Sequence, residues 1–352
     1  MRLLCACDER RNNVAAAKIV ALLAPLLLAS NNAAALSALG SYNVNIEGSS
    51  VSGLSAGAYM AVQMHVAFSS TLVGAGVIAG GPFYCTEGSR FALWFYLYQC
   101  THPFFWAPVP NAARLAQAAQ GFAASGVIDD LRHLRNDRVY LFSGGNDYLV
   151  TGDVVNQTRS FYKFVGLADR NIVYVSNPLA GHAILTKSYG NVCFASTTPF
   201  VNDCDYDQAG AILGHIYVKL SPPAPAADHG ELREFSQMEF ISDARAHSLS
   251  KVGYVYLPRS CLQGNRCKVH VVFHGCEQAA ERVGDAVYRW AGYNNWAATN
   301  DIIVLYPQLV STRRNPNGCW DWWGYDSAYY YTKKGPQMAA VMAMIRRLAT
   351  PH

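Results

Sequence analysis

Six short runs of apolar and β-branched residues recur along the chain and predict buried strands. Five longer stretches between or beside them have compositions that fit helices. Strands that alternate with helices are typical of an α/β fold with a mainly parallel central sheet flanked by helices. The predicted strands are residues 76–81, 138–143, 171–176, 251–257, 268–273 and 301–306, and the predicted helices are 56–69, 153–165, 207–220, 279–298 and 336–348.

An apolar run near the start of the chain has a different character. Residues 19–29 are too few to span a bilayer, follow Lys18, and are followed by the small residues 33–35. This order predicts a secretory signal peptide over residues 1–35, the alternative being a buried N-terminal helix. We therefore expect a secreted protein, extracellular or periplasmic, whose residues 36–352 form a single domain.

Composition narrows the class of protein. Of 352 residues, 51% are apolar and 15% charged, which excludes intrinsic disorder. The net charge of +4 is scattered, so we expect no nucleic-acid partner. Beyond the first 35 residues no uninterrupted apolar segment is long enough to span a bilayer, so we expect no membrane partner, and we expect a monomer.

Eight cysteines follow the predicted signal peptide, and an even number in a secreted chain indicates disulfides. No C-x-x-C occurs and no histidine lies at ligand spacing beside a cysteine pair, so no metal site is expected. Eight cysteines allow many pairings; near neighbours suggest Cys85–Cys100, Cys193–Cys204 and Cys261–Cys267, which leaves Cys276–Cys319.

The sequence GLSAG at residues 53–57 is a G-x-S-x-G motif. Two glycines allow a strand to turn sharply into a helix, which leaves the hydroxyl of Ser55 exposed above the sheet. The helix-compatible residues that follow fit such a nucleophile elbow. The motif is weak alone, because a glycine-rich turn gives the same pattern.

A serine hydrolase of the α/β type needs an acid and then a histidine further along the chain. Asp147 follows the strand predicted at 138–143, and His182 follows the strand predicted at 171–176. Both would lie at carboxyl ends of strands, where catalytic groups gather in α/β sheets. We expect His182 to accept the proton of Ser55 and Asp147 to orient His182, with Asp153 as the rival acid.

The oxyanion loop normally precedes the nucleophile, yet too few residues precede Ser55 here. The strand at 268–273 runs into His-Gly-Cys at 274–276, far downstream. A circular permutation accounts for this order: the proline-rich residues 221–229 would join the old termini, and residues 42–51 would form the nucleophile strand. The backbone N–H groups of Ala56 and Cys276 would then form the oxyanion hole. The alternative is a two-domain protein.

The chain also resembles the extracellular poly(3-hydroxybutyrate) depolymerases with a circularly permuted α/β-hydrolase catalytic domain. The resemblance implies that Ser55, Asp147 and His182 form the family's triad. No linker and substrate-binding domain follows Leu348, so the chain resembles the single-domain type. The motifs that carry it are GLSAGAYMA at 53–61, NDCDYD at 202–207, HGCEQ at 274–278, YNNWA at 293–297, LYPQ at 305–308 and NPNGCWDWWG at 315–324.

Three tryptophans close in sequence, Trp320, Trp322 and Trp323, lie in a predicted loop, and at least one of them is expected to pack in the core. The others would form an apolar wall beside the active site. Such a wall suits a polyester, which offers methyl groups and ester dipoles but no charge.

These features together predict a secreted serine esterase that hydrolyses poly(3-hydroxybutyrate) or its oligomers through an acyl-enzyme, without cofactor or metal. One alternative is an esterase acting on feruloyl or acetyl groups of plant cell walls. The other is an inactive hydrolase fold that binds polymer. The intact serine, aspartate and histidine favour an enzyme.

Overall fold

A computed structural model describes residues 36–89 and 93–350 of the chain. The predicted signal peptide, residues 1–35, lies outside the described residues. Residues from Leu36 onward form one compact unit, so the two-domain alternative is wrong. The strands are β1 (Ser49–Leu54), β2 (Leu72–Ile78), β3 (Arg138–Gly144), β4 (Ile172–Asn177), β5 (Ile184–Thr186), β6 (Asn191–Val192), β7 (Val201–Asp203), β8 (Gly230–Ser236), β9 (Val252–Pro258), β10 (Lys268–Phe273) and β11 (Ile302–Tyr306).

The helices pack on both faces of the main sheet. They are α1 (Ala56–Ala67), α2 (Leu93–Thr101), α3 (Ala112–Ala124), α4 (Gly152–Phe164), α5 (Gln208–Tyr217), α6 (Ala226–His229), α7 (Arg259–Leu262), α8 (Ala280–Val283), α9 (Tyr293–Ala297) and α10 (Pro336–Ala349). Short 3-10 helices occur at Ile46–Gly48, Leu131–Asn136 and Asp169–Asn171.

The main sheet has the strand order β4-β3-β2-β1-β10-β11-β9-β8. Its strands from β4 to β11 are parallel, whereas β9 is antiparallel to both β11 and β8. The first strand of the chain is therefore central. Strands from the first half of the chain lie on one side of it, and strands from the second half lie on the other.

This order is the permuted arrangement expected from the sequence. The N–H of Tyr42 donates to the carbonyl of Leu348 at 2.8 Å, so the segment entering β1 lies against the end of α10. Residues 221–229 connect α5 with β8 and thereby link the two halves of the sheet.

Alternating side chains give the sheet two apolar faces, as the period of a strand requires. On β10, Val269 and Val271 pack into the core beneath α1 and α10. Val272 faces the opposite core, with α5 and α9. Since both faces are covered, the central strands are buried almost throughout. The polar side chains there pair with one another: Oγ of Ser50 and Oγ of Ser52 bond the His270 ring at 2.6 and 2.8 Å.

Several predicted elements need correction. The helix predicted at 279–298 is two short helices, α8 and α9, separated by turns around Gly284 and Gly292, which both have positive φ. The nucleophile strand begins at Ser49 and not at residue 42, because a 3-10 helix precedes it. The proline-rich joint at residues 221–229 is partly helical, since its last four residues form α6.

Other elements were not predicted at all. Helices α2 and α3, the edge strand β8 and the small sheet β5-β7-β6 all lie at the periphery. Strand β8 exposes most of its residues, so it lacks the continuous apolar run by which the central strands were recognised.

Candidate active site

Four of the predicted functional positions meet at one edge of the main sheet. Ser55 follows β1, Asp147 follows β3, His182 follows β4 and Cys276 follows β10. These strands are parallel, so their carboxyl ends share an edge. Ligands bind at this edge in open α/β sheets.

The turn at Ser55 has a strained backbone. Ser55 has φ of 55° and ψ of −124°, and its N–H donates to the carbonyl of Ile78 at 2.9 Å. A non-glycine residue in such a conformation persists only where its surroundings enforce it. The sharp turn between β1 and α1 is the geometry expected of a nucleophile elbow.

Two glycines make this turn possible. A Cβ at Gly53 would lie 2.4 Å from the backbone of Gly57, and a Cβ at Gly57 would lie 2.3 Å from the carbonyl oxygen of Phe273. The helix start therefore packs directly on the backbone where β10 ends. Any side chain at either position would separate the serine turn from the His274–Gly275 segment.

Asp147 and His182 form a buried pair. The Nδ1 of His182 lies 2.7 Å from Oδ2 of Asp147, and Oδ1 of Asp147 accepts the N–H groups of Leu149 and Val150, each at 2.9 Å. These bonds fix the carboxylate toward the imidazole. With Nδ1–H donating to Asp147, Nε2 keeps its lone pair for a proton from another group.

The rival acid, Asp153, lies elsewhere. It is exposed in the first turn of α4 and makes no hydrogen bond to His182. The geometry therefore favours Asp147.

The loop that carries His182 is held by the small sheet. The N–H of Gly181 donates to the carbonyl of Cys193 at 2.9 Å, and the N–H of His182 donates to Oγ of Ser196 at 2.8 Å. The Cys193–Cys204 disulfide closes this segment. Ser196 was not singled out in the sequence.

Ala56 and Cys276 supply the two backbone N–H groups predicted to form the oxyanion hole. Neither N–H donates a hydrogen bond within the described part of the chain. Nδ1 of His274 donates to the carbonyl of Gly275 at 2.8 Å, and its Nε2 accepts the N–H of Leu309 at 3.1 Å. Burial lowers the pKa of His274 to about 4, so the ring is neutral at pH 7.

A cavity of about 380 Å³ opens over Ser55 and His182. Its walls are mainly apolar and include many residues that the sequence did not point to, because they come from separate loops. Leu97, Thr101, Leu149, Val150 and Phe200 belong to none of the recognised motifs, whereas the other lining residues were predicted site residues or lie within those motifs. The lining residues are Leu54, Ser55, Tyr59, Leu97, Thr101, Leu149, Val150, His182, Phe200, Gly275, Cys276, Glu277, Asn317, Trp322 and Trp323.

The three tryptophans divide between wall and core. Trp322 stacks on Tyr59 with ring centroids 4.1 Å apart, Trp323 meets Trp322 edge-on at 5.2 Å, and both line the cavity. Trp320 does not reach it. Fully buried, it packs on Phe273 and His274, so its predicted role in substrate binding is wrong.

A buried carboxylate shapes the loop around these tryptophans. Oδ1 of Asp321 accepts the N–H groups of Gly324 and Tyr325, and Oδ2 accepts those of Asp326 and Ser327, at 2.7 to 3.2 Å. The loop thus wraps around a single side chain, which sequence patterning did not reveal.

The structure forms the four disulfides suggested by the sequence: Cys85–Cys100, Cys193–Cys204, Cys261–Cys267 and Cys276–Cys319. The last joins the oxyanion-loop candidate to the tryptophan loop. Among the described residues, one group of three possible metal ligands comes together, Cys261, Cys267 and Asp301, and both thiols are already used in their disulfide. No helix in this part of the chain is long and apolar enough to cross a membrane.

No family model matches the chain, but the similar proteins found by comparison all carry the name of one enzyme family. The chain is 44% identical over 307 residues to a poly(3-hydroxybutyrate) depolymerase of Delftia acidovorans, covering 85% of this chain and 59% of that protein. It therefore spans less than two thirds of that relative. It is 33% identical over 334 residues to a polyhydroxybutyrate depolymerase of Talaromyces funiculosus, covering 90% and 94%.

Solved structures agree. The crystal structure of the PHB depolymerase from Penicillium funiculosum superimposes with a TM-score of 0.80 at 32% identity, covering 89% of this chain and 99% of that one. A serine-to-alanine variant of a PHB depolymerase bound to an R3HB trimer gives the same values.

Proposed function

Because this chain belongs to the poly(3-hydroxybutyrate) depolymerase family, we propose that it is a serine esterase that hydrolyses poly(3-hydroxybutyrate) or its oligomers. The observation that carries the proposal is the 2.7 Å contact between Asp147 and His182 in the cavity that also contains Ser55. Family membership supports the substrate, and this geometry supports the chemistry.

In the first half-reaction, Oγ of Ser55 attacks the ester carbonyl carbon while Nε2 of His182 takes the hydroxyl proton. Asp147 stabilises the imidazolium that results. The carbonyl oxygen becomes an oxyanion, for which the N–H groups of Ala56 and Cys276 are the donors. When the intermediate collapses, the ester C–O bond breaks, and His182 returns its proton to the leaving hydroxyl of the polymer.

In the second half-reaction, His182 takes a proton from water, whose oxygen attacks the acyl carbon on Ser55. The same two N–H groups accommodate the second oxyanion. Its collapse breaks the acyl–Oγ bond, restores the serine hydroxyl with the proton from His182, and releases a chain ending in a carboxylate. Ser55 Oγ makes no hydrogen bond to a described residue, and catalytic hydrogen bonds often tighten only when substrate is bound.

The cavity walls suit a neutral polyester. Leu54, Tyr59, Val150, Phe200 and Trp322 present apolar surface around the serine. Apolar walls with a few polar groups are typical of small-molecule sites, and ester methyl groups can pack against them. The resemblance to a PHB depolymerase bound to an R3HB trimer supports the same substrate class.

Four disulfides support the proposal that the protein works outside the reducing cytosol, as a signal peptide at residues 1–35 would require. That it acts as a monomer remains a prediction, which size-exclusion chromatography of the purified protein tests.

The decisive experiment measures clearing of poly(3-hydroxybutyrate) granules beside hydrolysis of a feruloyl ester. We expect clearing by the native protein and none by Ser55→Ala, which should melt at an unchanged temperature because Ser55 bonds no described side chain. The matched control is Ser196→Ala, assayed on both the polymer and the soluble ester. Its activity on both should fall only in part, because Ser196 contacts only the backbone of His182. Feruloyl hydrolysis without clearing would contradict the polyester proposal and favour the plant-wall alternative.

A solid polymer must also be held, and exposed aromatic residues beside the cavity provide a surface for it. Trp94, Phe105 and Trp106 are 77%, 88% and 74% exposed, with Tyr98 and Phe104 next to them. Residues 91–113 contain no charged side chain. Exposed apolar patches of this kind mark contact sites on soluble proteins.

This aromatic surface is continuous with the active site, since Leu97 and Thr101 of α2 line the cavity. The Cys85–Cys100 disulfide anchors the same helix. In our proposal residues 94–106 adsorb to the polymer, and Trp322 and Trp323 keep the role of cavity wall.

Adsorption to granules tests this surface. The double variant Phe105→Ala/Trp106→Ala should bind granules at least tenfold more weakly and keep its activity on a soluble ester. The matched control is Phe164→Ala/Trp290→Ala, because these side chains are also exposed, 56% and 47%, and line no part of the cavity. Equal adsorption of both variants would refute the surface and leave the esterase proposal intact.

A further inference from the structure

Gln278 lies directly after the oxyanion-loop candidate and is 1% exposed. Its Oε1 accepts the N–H of Gly275 at 2.7 Å, and its Nε2 donates to the carbonyls of Pro199 and Phe200 at 3.1 and 2.9 Å. Because one partner is an N–H donor and the other two are carbonyl acceptors, the positions of Oε1 and Nε2 in the side-chain amide are unambiguous. Both of its N–H donors are therefore used.

The first contact holds the peptide that directly precedes the one that would stabilise the oxyanion. Gln278 holds the N–H of Gly275, and His274 holds the carbonyl of Gly275 at 2.8 Å. The carbonyl of Gly275 and the N–H of Cys276 belong to one planar trans peptide, so they point in opposite directions. Fixing the carbonyl thus directs the Cys276 N–H away from His274, on the side where Cys276 lines the cavity.

The other two contacts bear on the histidine. Phe200 lines the cavity, and its ring lies edge-on to His182 with centroids 6.2 Å apart. Its φ of 56° is unusual for a non-glycine residue, and its carbonyl also accepts the N–H of Ile184, two positions after His182. Gln278 thus stabilises a strained residue that packs on the catalytic imidazole.

We propose that Gln278 is a positioning residue that sets the oxyanion donor at Cys276 and the general base at His182 relative to one another. The proposal rests on the esterase function proposed above and adds a residue to its machinery. Pro199 and Phe200 lie 79 and 78 positions before Gln278, so this amide joins loops from different halves of the permuted chain. The side-chain amide of Gln278 therefore sets the relative positions of the Cys276 N–H and the His182 imidazole, which must act on the same substrate carbonyl.

The consequence is specific to the transition state. Oxyanion donors act on charge that appears only during reaction, so a displaced donor lowers kcat and leaves ground-state binding unchanged. Gln278 itself does not line the cavity, so its loss removes no substrate contact. Removing one donor outright costs roughly 100- to 1,000-fold in kcat, and a displaced donor should cost about 10- to 100-fold.

The test compares two isosteric changes of buried glutamines. Gln278→Met removes all three hydrogen bonds and retains the volume. The control is Gln237→Met: Gln237 is also fully buried and also makes three backbone contacts, to Ser250 and twice to Gln308, at 2.8 to 3.0 Å. It does not line the cavity. Both variants should lose similar thermal stability.

Kinetics on a soluble 3-hydroxybutyrate oligomer then separate the two variants. We expect kcat of Gln278→Met to fall about 10- to 100-fold below that of Gln237→Met at similar KM. Affinity for a trifluoromethyl ketone, which forms a tetrahedral adduct with the serine, should fall by the same factor. Equal kcat values for the two variants, or a rise in KM alone, would overturn the proposal.

Gln278→Glu provides a second variant if the methionine variant does not fold. Its carboxylate still accepts the N–H of Gly275 but cannot donate to Pro199 and Phe200. It should lose kcat as well, whereas retention of kcat would show that the link to the histidine loop does not matter. Absence of ester turnover by the native protein would refute the esterase function itself, which is a different result from any of these.

Discussion

The serine turn and the aromatic loop, residues 315–331, both face the same cavity but are held in shape by different means. At the turn, backbone packs on backbone: the helix start touches the end of β10, and two glycines allow the approach. In the aromatic loop, side chains hold the backbone in place. The Asp321 carboxylate accepts four backbone N–H groups. The Asn315 amide donates to the carbonyl of Cys319 and accepts its N–H.

The difference shows that the serine turn depends on close backbone packing, whereas the aromatic loop depends on hydrogen bonds to an ionisable side chain. The turn tolerates no added atom at its glycines but contains no buried charge. In the loop, the nearest atom to an added Cβ would lie at 3.9 Å for Gly318 and 3.3 Å for Gly324, and the fold depends on an ionisable group. Substitutions should therefore affect the two regions in different ways.

The largest effect is expected at the catalytic pair. Asp147→Asn would leave the shape of the pair but favour the wrong histidine tautomer, and should lower kcat about 10,000-fold. Asp153→Asn, at an exposed position of α4, should change kcat less than twofold. Ester hydrolysis by both purified variants measures this, and the reverse ranking would show that Asp153 is the acid.

Glycine substitutions test the steric side of the comparison. Gly57→Ala places a Cβ 2.3 Å from the carbonyl oxygen of Phe273, in rigid backbone, so we expect little folded protein and no activity. Gly324→Ala has a nearest neighbour at 3.3 Å and a φ of 84°, which should cost only about 1–2 kcal/mol. Melting temperatures measure both. Similar losses in the two variants would remove the contrast between the regions.

Within the aromatic loop, the tryptophans should separate stability from activity. Trp320→Ala removes a fully buried side chain and should lower the free energy of unfolding by about 3–5 kcal/mol. Trp323→Ala alters a half-buried cavity wall, so it should change stability less and raise KM for oligomers. Urea unfolding and oligomer kinetics on each variant check this, and a stable Trp320→Ala variant with raised KM would reverse our assignment.

The last effect is a pH dependence confined to the loop. Burial raises the pKa of Asp321 to about 7, against backbone hydrogen bonds that lower it. Between the ordinary carboxyl pKa of 3.8 and about 7, the folded protein holds a proton that the unfolded chain has lost. The stability from this proton is complete below pH 3.8 and declines as the pH rises to 7, by at most about 1.4 kcal/mol per pH unit.

Asp321→Asn removes this titration. The stability of the native protein minus that of the variant should therefore fall between pH 4 and pH 7, as measured by urea unfolding at both pH values. A difference that grows with pH would mean that the four N–H donors outweigh burial and lower the pKa of Asp321.

The same contrast explains what the sequence could predict. Strands β3, β4, β9, β10 and β11 were located within one residue, because β-branched apolar runs bounded by turn residues mark strands. Strand β2 was predicted at 76–81 but lies at Leu72–Ile78, because the glycines and alanines around it give no clear boundary. The serine turn was recognised because close backbone packing requires glycine at positions 53 and 57, and this requirement appears in the sequence as the G-x-S-x-G motif. The permuted order followed from the position of His274–Gly275 after a strand.

Features held by side-chain contacts were missed for a physical reason. Whether a tryptophan points into core or cavity depends on how the loop folds around Asp321, and this requires partners such as Gln337, whose Oε1 accepts the Asp321 N–H at 2.8 Å. Gln278 likewise has meaning only beside Pro199 and Phe200, which are distant in sequence. No local pattern encodes such pairs.

The permuted strand order has a consequence for synthesis of the protein on the ribosome. Strand β1 is made early, but its neighbour β10 follows much later, with Ser50 pairing His270 across 220 positions. At about 5–20 residues per second, the central strand waits roughly 10–40 s for that partner. During this time the edge of β1 that will pair with β10 has no partner strand, and unpaired strand edges template aggregation. A nascent chain of this order would therefore depend on a chaperone more than an unpermuted chain, in which β10 and β11 would be made before β1.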